Sequence, residues 1–299
     1  MKSKERILIA GGDLRQLYCC ARLSELYDTS IYGFDQKALP RGLNVKTAEL
    51  SDLGNEPLWD YLILPVKPCN QDLTLYAPFS EATPVPLCDI LNCVKENGAV
   101  FEGKSTGDIK KQYPLISFES YLEREDFQLL NAVPSAEGAV FTAMKELDVT
   151  LSTLPVLVVG MGRTGTALVN ILKGFGADIT VAVRSAEGSA KAKIAGVKSC
   201  CISDIDGRFP LVFNTAPALV FDYELLKKFT SDTLFIDLAS EPGGIDFDYA
   251  HKLGLKTIHA LGLPGKKSPV TAGEIIAETV MHIIAERSDQ RYGKLIPKA

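Results

Sequence analysis

Residues 156–172 read VLVVGMGRTGTALVNIL. Four β-forming apolar residues run into Gly160, Gly162 and Gly165 at G-x-G-x-x-G spacing, and a helical pattern follows at once. The motif needs that context, because each glycine has a separate task. Gly160 permits a tight turn. Gly162 lets a pyrophosphate approach the backbone, and Gly165 lets helix and strand pack closely. The free N–H groups of the helix start, at the positive end of its dipole, then receive the phosphates. Arg163 and Thr164 stand on the rim. The stretch predicts a Rossmann βαβ unit holding a dinucleotide.

The next strand, ITVAVRS (179–185), bears on which dinucleotide that is. An NAD site usually carries an acid at this strand end, binding both ribose hydroxyls. This chain has Arg184 and Ser185 instead. An acid would repel a 2′-phosphate, whereas a guanidinium fork grips it and stacks on adenine, and a hydroxyl adds a further contact. The expected cofactor is NADP(H). Two further strand ends, LVFNTAP and IHALGLPG, bring Asn214, Thr215 and Pro217, and His259, Gly262 and Pro264, to the carboxyl edge of the sheet. Ligands of open parallel sheets sit outside that edge, so these residues are expected to rim a nicotinamide pocket.

Outward from this core, strand-like and helix-like segments alternate almost throughout. RILIA (6–10), SIYGFD, DYLILPV (60–66), GAVFEG (98–103) and PLISF (114–118) precede it, with a proline-rich excursion from Lys67 to Pro86. The pattern predicts an α/β fold of two Rossmann-like domains with parallel sheets, a cleft between them and crossing helices as links. The expected division is an N-terminal substrate domain over 1–130, a linking helix within 131–150, an NADP-binding domain over 151–270, and a C-terminal helix over 271–299 returning toward the first domain. VPSAEG suggests that the linking helix begins at Pro134 and runs to Leu147, with Ser135 as cap and Glu137 in its first turn. The first domain also opens strand–Gly-Gly–helix, IAGGDLRQL, with Asp35 at the next strand end. It lacks the third glycine, so a second dinucleotide is not expected. A small anion beside Arg15 suits that helix start better.

Composition fits this reading. The 299 residues are 46% hydrophobic and 23% charged, enough for two cores of ordinary character. A net charge of −5 gives no electrostatic case for nucleic acid or an anionic membrane. No apolar run reaches the roughly 20 residues of a membrane span. No signal peptide is apparent, so the expected location is cytoplasmic. Cysteines 19, 20, 69, 88, 93, 200 and 201 form no Cys-x-x-Cys pair, and the three histidines are scattered, so no metal site is expected.

IAGGDLRQL, YGFDQ, LILPV, VPSAEG, VGMGRTG, VRS, NTAP, IDLASEPGGIDF and ALGLPGKKSPVTAG together resemble one family nearly end to end: the A subunit of dipicolinate synthase, from spore-forming bacteria. The resemblance implies NADP-dependent oxidation of dihydrodipicolinate, or its hydrated precursor, to pyridine-2,6-dicarboxylate during sporulation. As partner it implies the flavoprotein-like B subunit of dipicolinate synthase. A ring dianion needs donors for two carboxylates. Arg15, Ser135, Ser240 and the amides near Glu137 are the candidates, although the charge of Glu137 opposes a carboxylate beside it. Aromatisation releases a hydride and a proton, and His259, Lys104 or Lys266 is expected to take the proton. Two positions depart from the family pattern: Glu241 follows the serine of ASEPGG, and Val270 stands within SPVTAG.

Two other readings compete. A two-domain dehydrogenase of a 2-hydroxy acid or of alanine has a similar layout. Its hydroxy-acid members carry a carbonyl-polarising arginine where this chain has Ala239, Ser240 and Glu241. A non-catalytic NADP-binding regulatory protein is the other, since no acid–base constellation stands out. The sequence leaves homo-oligomerisation open.

Overall fold

The structure is a computed structural model and describes residues 4–53 and 58–295. Its strands explain why the apolar runs are nearly continuous. In the first strand, β1 (Arg6–Ala10), Ile7 and Ile9 enter one buried cluster while Leu8 and Ala10 enter another. Successive side chains alternate between the two faces, and both faces are covered, so no polar alternation is visible. β2 (Asp28–Tyr32), β3 (Trp59–Ile63), β4 (Val94–Glu102) and β5 (Ser117–Ser120) complete an all-parallel sheet in the order β2-β1-β3-β4-β5. That is the flavodoxin-like doubly wound order.

The second sheet contains β6 (Pro155–Val159), β7 (Asp178–Val183), β8 (Lys198–Cys201), β9 (Leu211–Asn214), β10 (Leu234–Asp237) and β11 (Lys256–His259). All pairs are parallel, in the order β11-β10-β9-β6-β7-β8. This is the dinucleotide-binding order, with its switch point between β6 and β9. β6 again divides its side chains, Val156 and Val158 to one cluster, Leu157 and Val159 to the other.

The chain forms two compact units. One contains residues up to Gln128 together with those from Pro269 onward, and the other spans Leu129–Ser268. The helix Pro269–Leu295 completes the first unit by packing on the helix Leu14–Leu23. Contact is close at Gly273, where a Cβ would lie 2.4 Å from the carbonyl oxygen of Arg15. Ile275, Ile276, Val280 and Ile283 share a buried cluster with Leu17, Cys20 and Leu23.

One expectation is corrected here. The helix expected to begin at Pro134 runs from Glu125 to Glu146, with Pro134 inside it. Glu125 and Asp126 place acids in its true first turn, where the dipole favours them. Its start is tied down by Arg124, which bonds both Asp126 and Glu286. Pro134 lacks an N–H for the helical ladder. The Ser135 hydroxyl donates to the Asn131 carbonyl at 2.8 Å, so Ser135 is a mid-helix residue and not a cap. Glu137 is exposed further along the same helix. The amides expected to face an anion there lie within the helix.

Candidate dinucleotide site

The glycine loop is built as its spacing predicts. β6 ends at Val159, and Gly160 turns the chain at φ +97°. A Cβ on Gly160 would meet Thr215 Oγ1 at 2.6 Å, and one on Gly165 would meet the Gly160 carbonyl oxygen at 2.3 Å. Gly162 differs, since a Cβ there would have nothing within 4 Å. It is the N-cap of the helix Arg163–Gly174, which has no side-chain cap and no acid in its first turn. Open space over an uncapped helix start fits a pyrophosphate. Gly165, Leu168, Val169 and Leu172 bury the opposite face of that helix at helical spacing. Thr164 is half-buried and Arg163 exposed beside the loop.

A groove of about 390 Å³ runs from this loop past Ala182 and Val183 to Arg184, Ser185, Glu187 and Lys191, and on the other side to Thr215–Pro217. Arg184 and Ser185 are exposed at the end of β7. Ser185 caps the helix Ala186–Ile194, its oxygen accepting from the Gly188 amide at 3.1 Å. Its hydroxyl proton therefore points to other acceptors. Glu187 and Lys191, one turn apart on that helix, pair at 2.7 Å. Sequence reasoning passed over both, although an acid and a lysine four apart beyond an NADP-like strand end were the available signal.

The far strand ends are more committed than expected. Val159, Asn214, Asp237 and His259 stand in register across β6, β9, β10 and β11. Asn214 is fully buried, and its amide donates to Asp237 Oδ1 at 2.8 Å and to the Ala216 carbonyl at 3.1 Å. It braces the loop and does not project into the groove. The Thr215 hydroxyl likewise donates to the Val159 carbonyl at 2.8 Å, supporting Gly160 from below. Pro217 is exposed on the groove wall. Asp237, also fully buried, accepts from Asn214 Nδ2, from Ala239 N at 3.0 Å and from Gly244 N at 2.7 Å. It fixes the turn carrying Ser240, Glu241 and Pro242, whose Glu241–Pro242 bond is cis. Asp237 went unnoticed because a buried acid at a strand end is indistinguishable in sequence from an exposed one.

His259 is half-buried, stacked on Phe247 with ring centroids 5.1 Å apart. Its Nε2 lies 2.9 Å from the Ala239 carbonyl. A carbonyl only accepts, so Nε2 carries the proton and Nδ1 is the nitrogen able to receive one. Gly262 adopts φ +68° as N-cap of the short helix Leu263–Lys267, on which Lys266 is exposed. Ser240 is exposed in the Asp237-held turn.

In the first unit, the strand–Gly-Gly–helix element carries its own occupants. The Gly12 amide donates to the Tyr76 carbonyl at 2.7 Å, and a Cβ on Gly11 would sit 2.5 Å from that oxygen. Phe34 stacks on Phe79, and Asp35 accepts from the Glu81 amide at 3.0 Å. The Lys67–Pro86 excursion thus fills the places that phosphate and ribose take in a dinucleotide site. At the helix start Arg15 has a partner within its own chain. Asp13 caps the helix through Arg15 N at 3.1 Å, and both its oxygens hold Arg15, from Nε and Nη2, each at 2.8 Å. The fork expected to grip a substrate carboxylate already holds one from its own chain. Lys104 is exposed after β4, its amide bonded to the Val66 carbonyl.

Burial raises the Asp13 pKa, but the hydrogen-bonded Arg15 cation outweighs that and holds it below the usual carboxylate range. Arg15→Ala should therefore move the Asp13 titration upward. The depressed folded value makes the pair's contribution present above about pH 4 and lost as pH falls through that value. The variant should lack this acid-side loss. Carboxyl-detected NMR titration checks it, and an unmoved Asp13 contradicts it.

Elsewhere, burial pushes the Cys20 and Cys93 thiols up to about 11. Among the described residues no cluster of three or more metal-ligating side chains occurs, and no helix is long and apolar enough to cross a membrane.

Known proteins similar to this chain include members of one family that match it over nearly its whole length. Residues 6–114 match the model of the N-terminal domain of the dipicolinate synthase A subunit. The dipicolinate synthase A subunit of Bacillus subtilis strain 168 is 31% identical over 292 residues, covering 94% of this chain and 96% of that one. The crystal structure of the dipicolinate synthase A chain from Bacillus subtilis superposes with a TM-score of 0.85 at 30% identity, covering 97% of this chain and 99% of that chain. A transhydrogenase from Sinorhizobium meliloti shares the fold at TM-score 0.68 and 15% identity, covering 93% of this chain and 92% of that one. With a near-complete match in sequence and in structure to the same protein, the chain belongs to the family of dipicolinate synthase A subunits.

Proposed function

We propose that this chain is an NADP-dependent oxidoreductase that converts dihydrodipicolinate, or its hydrated precursor, to dipicolinate in the cytoplasm of a sporulating cell, with the flavoprotein-like B subunit of dipicolinate synthase for its partner. One observation carries the cofactor assignment: the groove leading from the glycine loop ends on Arg184 and Ser185, with no acid at that strand end. The family supports the substrate. Bound NADP would supply a two-electron hydride acceptor. The protein's share is to bind, orient and take the proton. The uncapped start of Arg163–Gly174 receives the pyrophosphate, and Arg184 with the Ser185 hydroxyl receives the 2′-phosphate. His259, held through Nε2, accepts the proton at Nδ1, while exposed Lys104 and Lys266 are the alternatives. Ser240, presented on the turn that Asp237 fixes, offers a hydroxyl to a carboxylate.

Arg184→Asp should weaken NADPH binding by about 2 kcal/mol, roughly thirtyfold, as loss of a charged bidentate contact does. NADH binding should stay the same or improve. Equal wild-type affinity for the two cofactors contradicts the assignment. For the reaction, the purified chain is incubated with dihydrodipicolinate and NADP, with and without the flavoprotein-like partner. Formation of dipicolinate without that partner supports catalysis by this chain. Turnover only with the partner, from a mixture in which Arg184→Asp has no effect, supports the regulatory reading instead.

A further inference from the structure

We infer that Lys191 is the third arm of the 2′-phosphate site, that Glu187 competes with the phosphate for it, and that this balance sets the preference for NADPH over NADH. The inference rests on the dinucleotide reading above. Arg184, Glu187 and Lys191 are the charged residues lining the groove, beside the Ser185 hydroxyl. Arg184 and Glu187 bring charges of opposite sign, so between them the wall has no net charge. Lys191 alone makes it cationic. A 2′-phosphate differs from a 2′-hydroxyl by almost two negative charges, so discrimination depends on the sign of that wall more than on its shape. A single exposed arginine beside an exposed glutamate would give the phosphate little advantage.

The pair has a second role with which this one must be compared. An acid four residues before a lysine on an exposed helix is a common stabilising arrangement, worth a few tenths of a kcal/mol. Placement separates the two roles. The helix Ala186–Ile194 begins at Ser185, so Glu187 lies in its first turn and Lys191 one turn further, both on the groove side. Other basic residues of that helix and its surroundings, such as Lys193, do not line the groove. Lys191 is exposed and held at 2.7 Å by Glu187 in the free protein. A dianionic phosphate arriving at Arg184 competes for that ammonium and needs only a rotamer change to win it. Glu187 therefore competes with the phosphate for Lys191 and weakens phosphate binding by its own charge.

The test measures NADPH and NADH affinities by fluorescence titration in the full chain, with adenosine 2′,5′-bisphosphate and 5′-AMP as probes isolating the phosphate. Lys191→Gln should weaken NADPH and the bisphosphate about fivefold to tenfold, the low end for a charge-assisted contact that solvent reaches. NADH and 5′-AMP should change by less than about twofold, and Lys191→Arg should restore most of the NADPH affinity. Glu187→Gln should tighten NADPH by a few-fold. If Lys191→Gln leaves NADPH unchanged, or weakens NADPH and NADH equally, the pair only stabilises its helix and the inference is overturned. If the wild type itself binds NADH and NADPH alike, the NADP reading fails first, whatever the variants do.

Discussion

Gly165→Ala is expected to weaken dinucleotide binding severely. A Cβ at this position would stand 2.3 Å from the carbonyl oxygen of Gly160 and 3.0 Å from its carbon. Both are backbone atoms of the phosphate turn, so no side-chain rotation relieves the clash. The helix Arg163–Gly174 must back away from β6 or the turn must open. Overpacking of this kind costs about 1–3 kcal/mol of stability, and more where backbone must move. The same displacement withdraws the N–H groups from the pyrophosphate. NADPH and NADH should both weaken at least roughly a hundredfold, about 2.7 kcal/mol. Gly162→Ala is the informative contrast. Its Cβ meets no protein atom within 4 Å, so the fold should lose only the N-cap preference of Gly over Ala, up to about 1 kcal/mol, while the ligand loses its close approach. Thermal melts and cofactor titration distinguish the two variants. A Gly165→Ala protein that binds NADPH within twofold of wild type contradicts the account.

Asp237→Ala should destabilise the protein strongly. The carboxylate is fully buried and accepts from Asn214 Nδ2, Ala239 N and Gly244 N. Alanine leaves two backbone amides and one side-chain donor facing a void. Each unsatisfied buried donor costs about 1–3 kcal/mol, and Asn214 keeps its bond to Ala216, so the sum is about 3–5 kcal/mol. That is a large part of ordinary domain stability. Asp237→Asn keeps the volume but turns one acceptor into a donor, so it should cost less, about 2 kcal/mol. Urea denaturation measures both, and a midpoint unchanged in Asp237→Ala would rule this role out. The turn bearing Ser240 should also lose its fixed position, so the variant tests whether that turn must be rigid for turnover.

The inner strands β1, β3, β6, β9 and β10 were legible because each is a largely buried apolar run closed within a few residues by Gly, Pro, Ser or Asn, whereas β5 lies at the half-buried Ser117–Ser120 and not over the apolar PLISF of 114–118. β8 was not legible, because its KSCC is a mostly exposed edge strand without an apolar signal. The start of the Glu125–Glu146 helix was misplaced for a different reason. VPSAEG carries every local mark of a beginning, but helices choose their start by competition, and EDFQLL upstream supplies an earlier first turn. The cofactor loop could be read residue by residue because its glycines have backbone tasks that spacing reveals. The side-chain contacts could not. Arg15 looks available in sequence, yet Asp13, two residues before it, occupies its fork. Asn214 sits at a strand end as pocket residues do, yet its amide faces inward to Asp237. Composition and periodicity report burial by element, whereas these two roles depend on where a single polar group points.

The first unit is assembled from both ends of the chain, and this has a consequence for biosynthesis. The helix Pro269–Leu295 covers one face of Leu14–Leu23, but the ribosome delivers it only after the whole second unit. At about 5–20 residues per second that interval is on the order of ten seconds. The second unit is contiguous and meets no such delay. The first unit is thus begun before the second and finished after it. Until then the helix Leu14–Leu23 lacks its cover along Arg15, Tyr18 and Cys19, and that uncovered face is the surface a nascent-chain chaperone would hold.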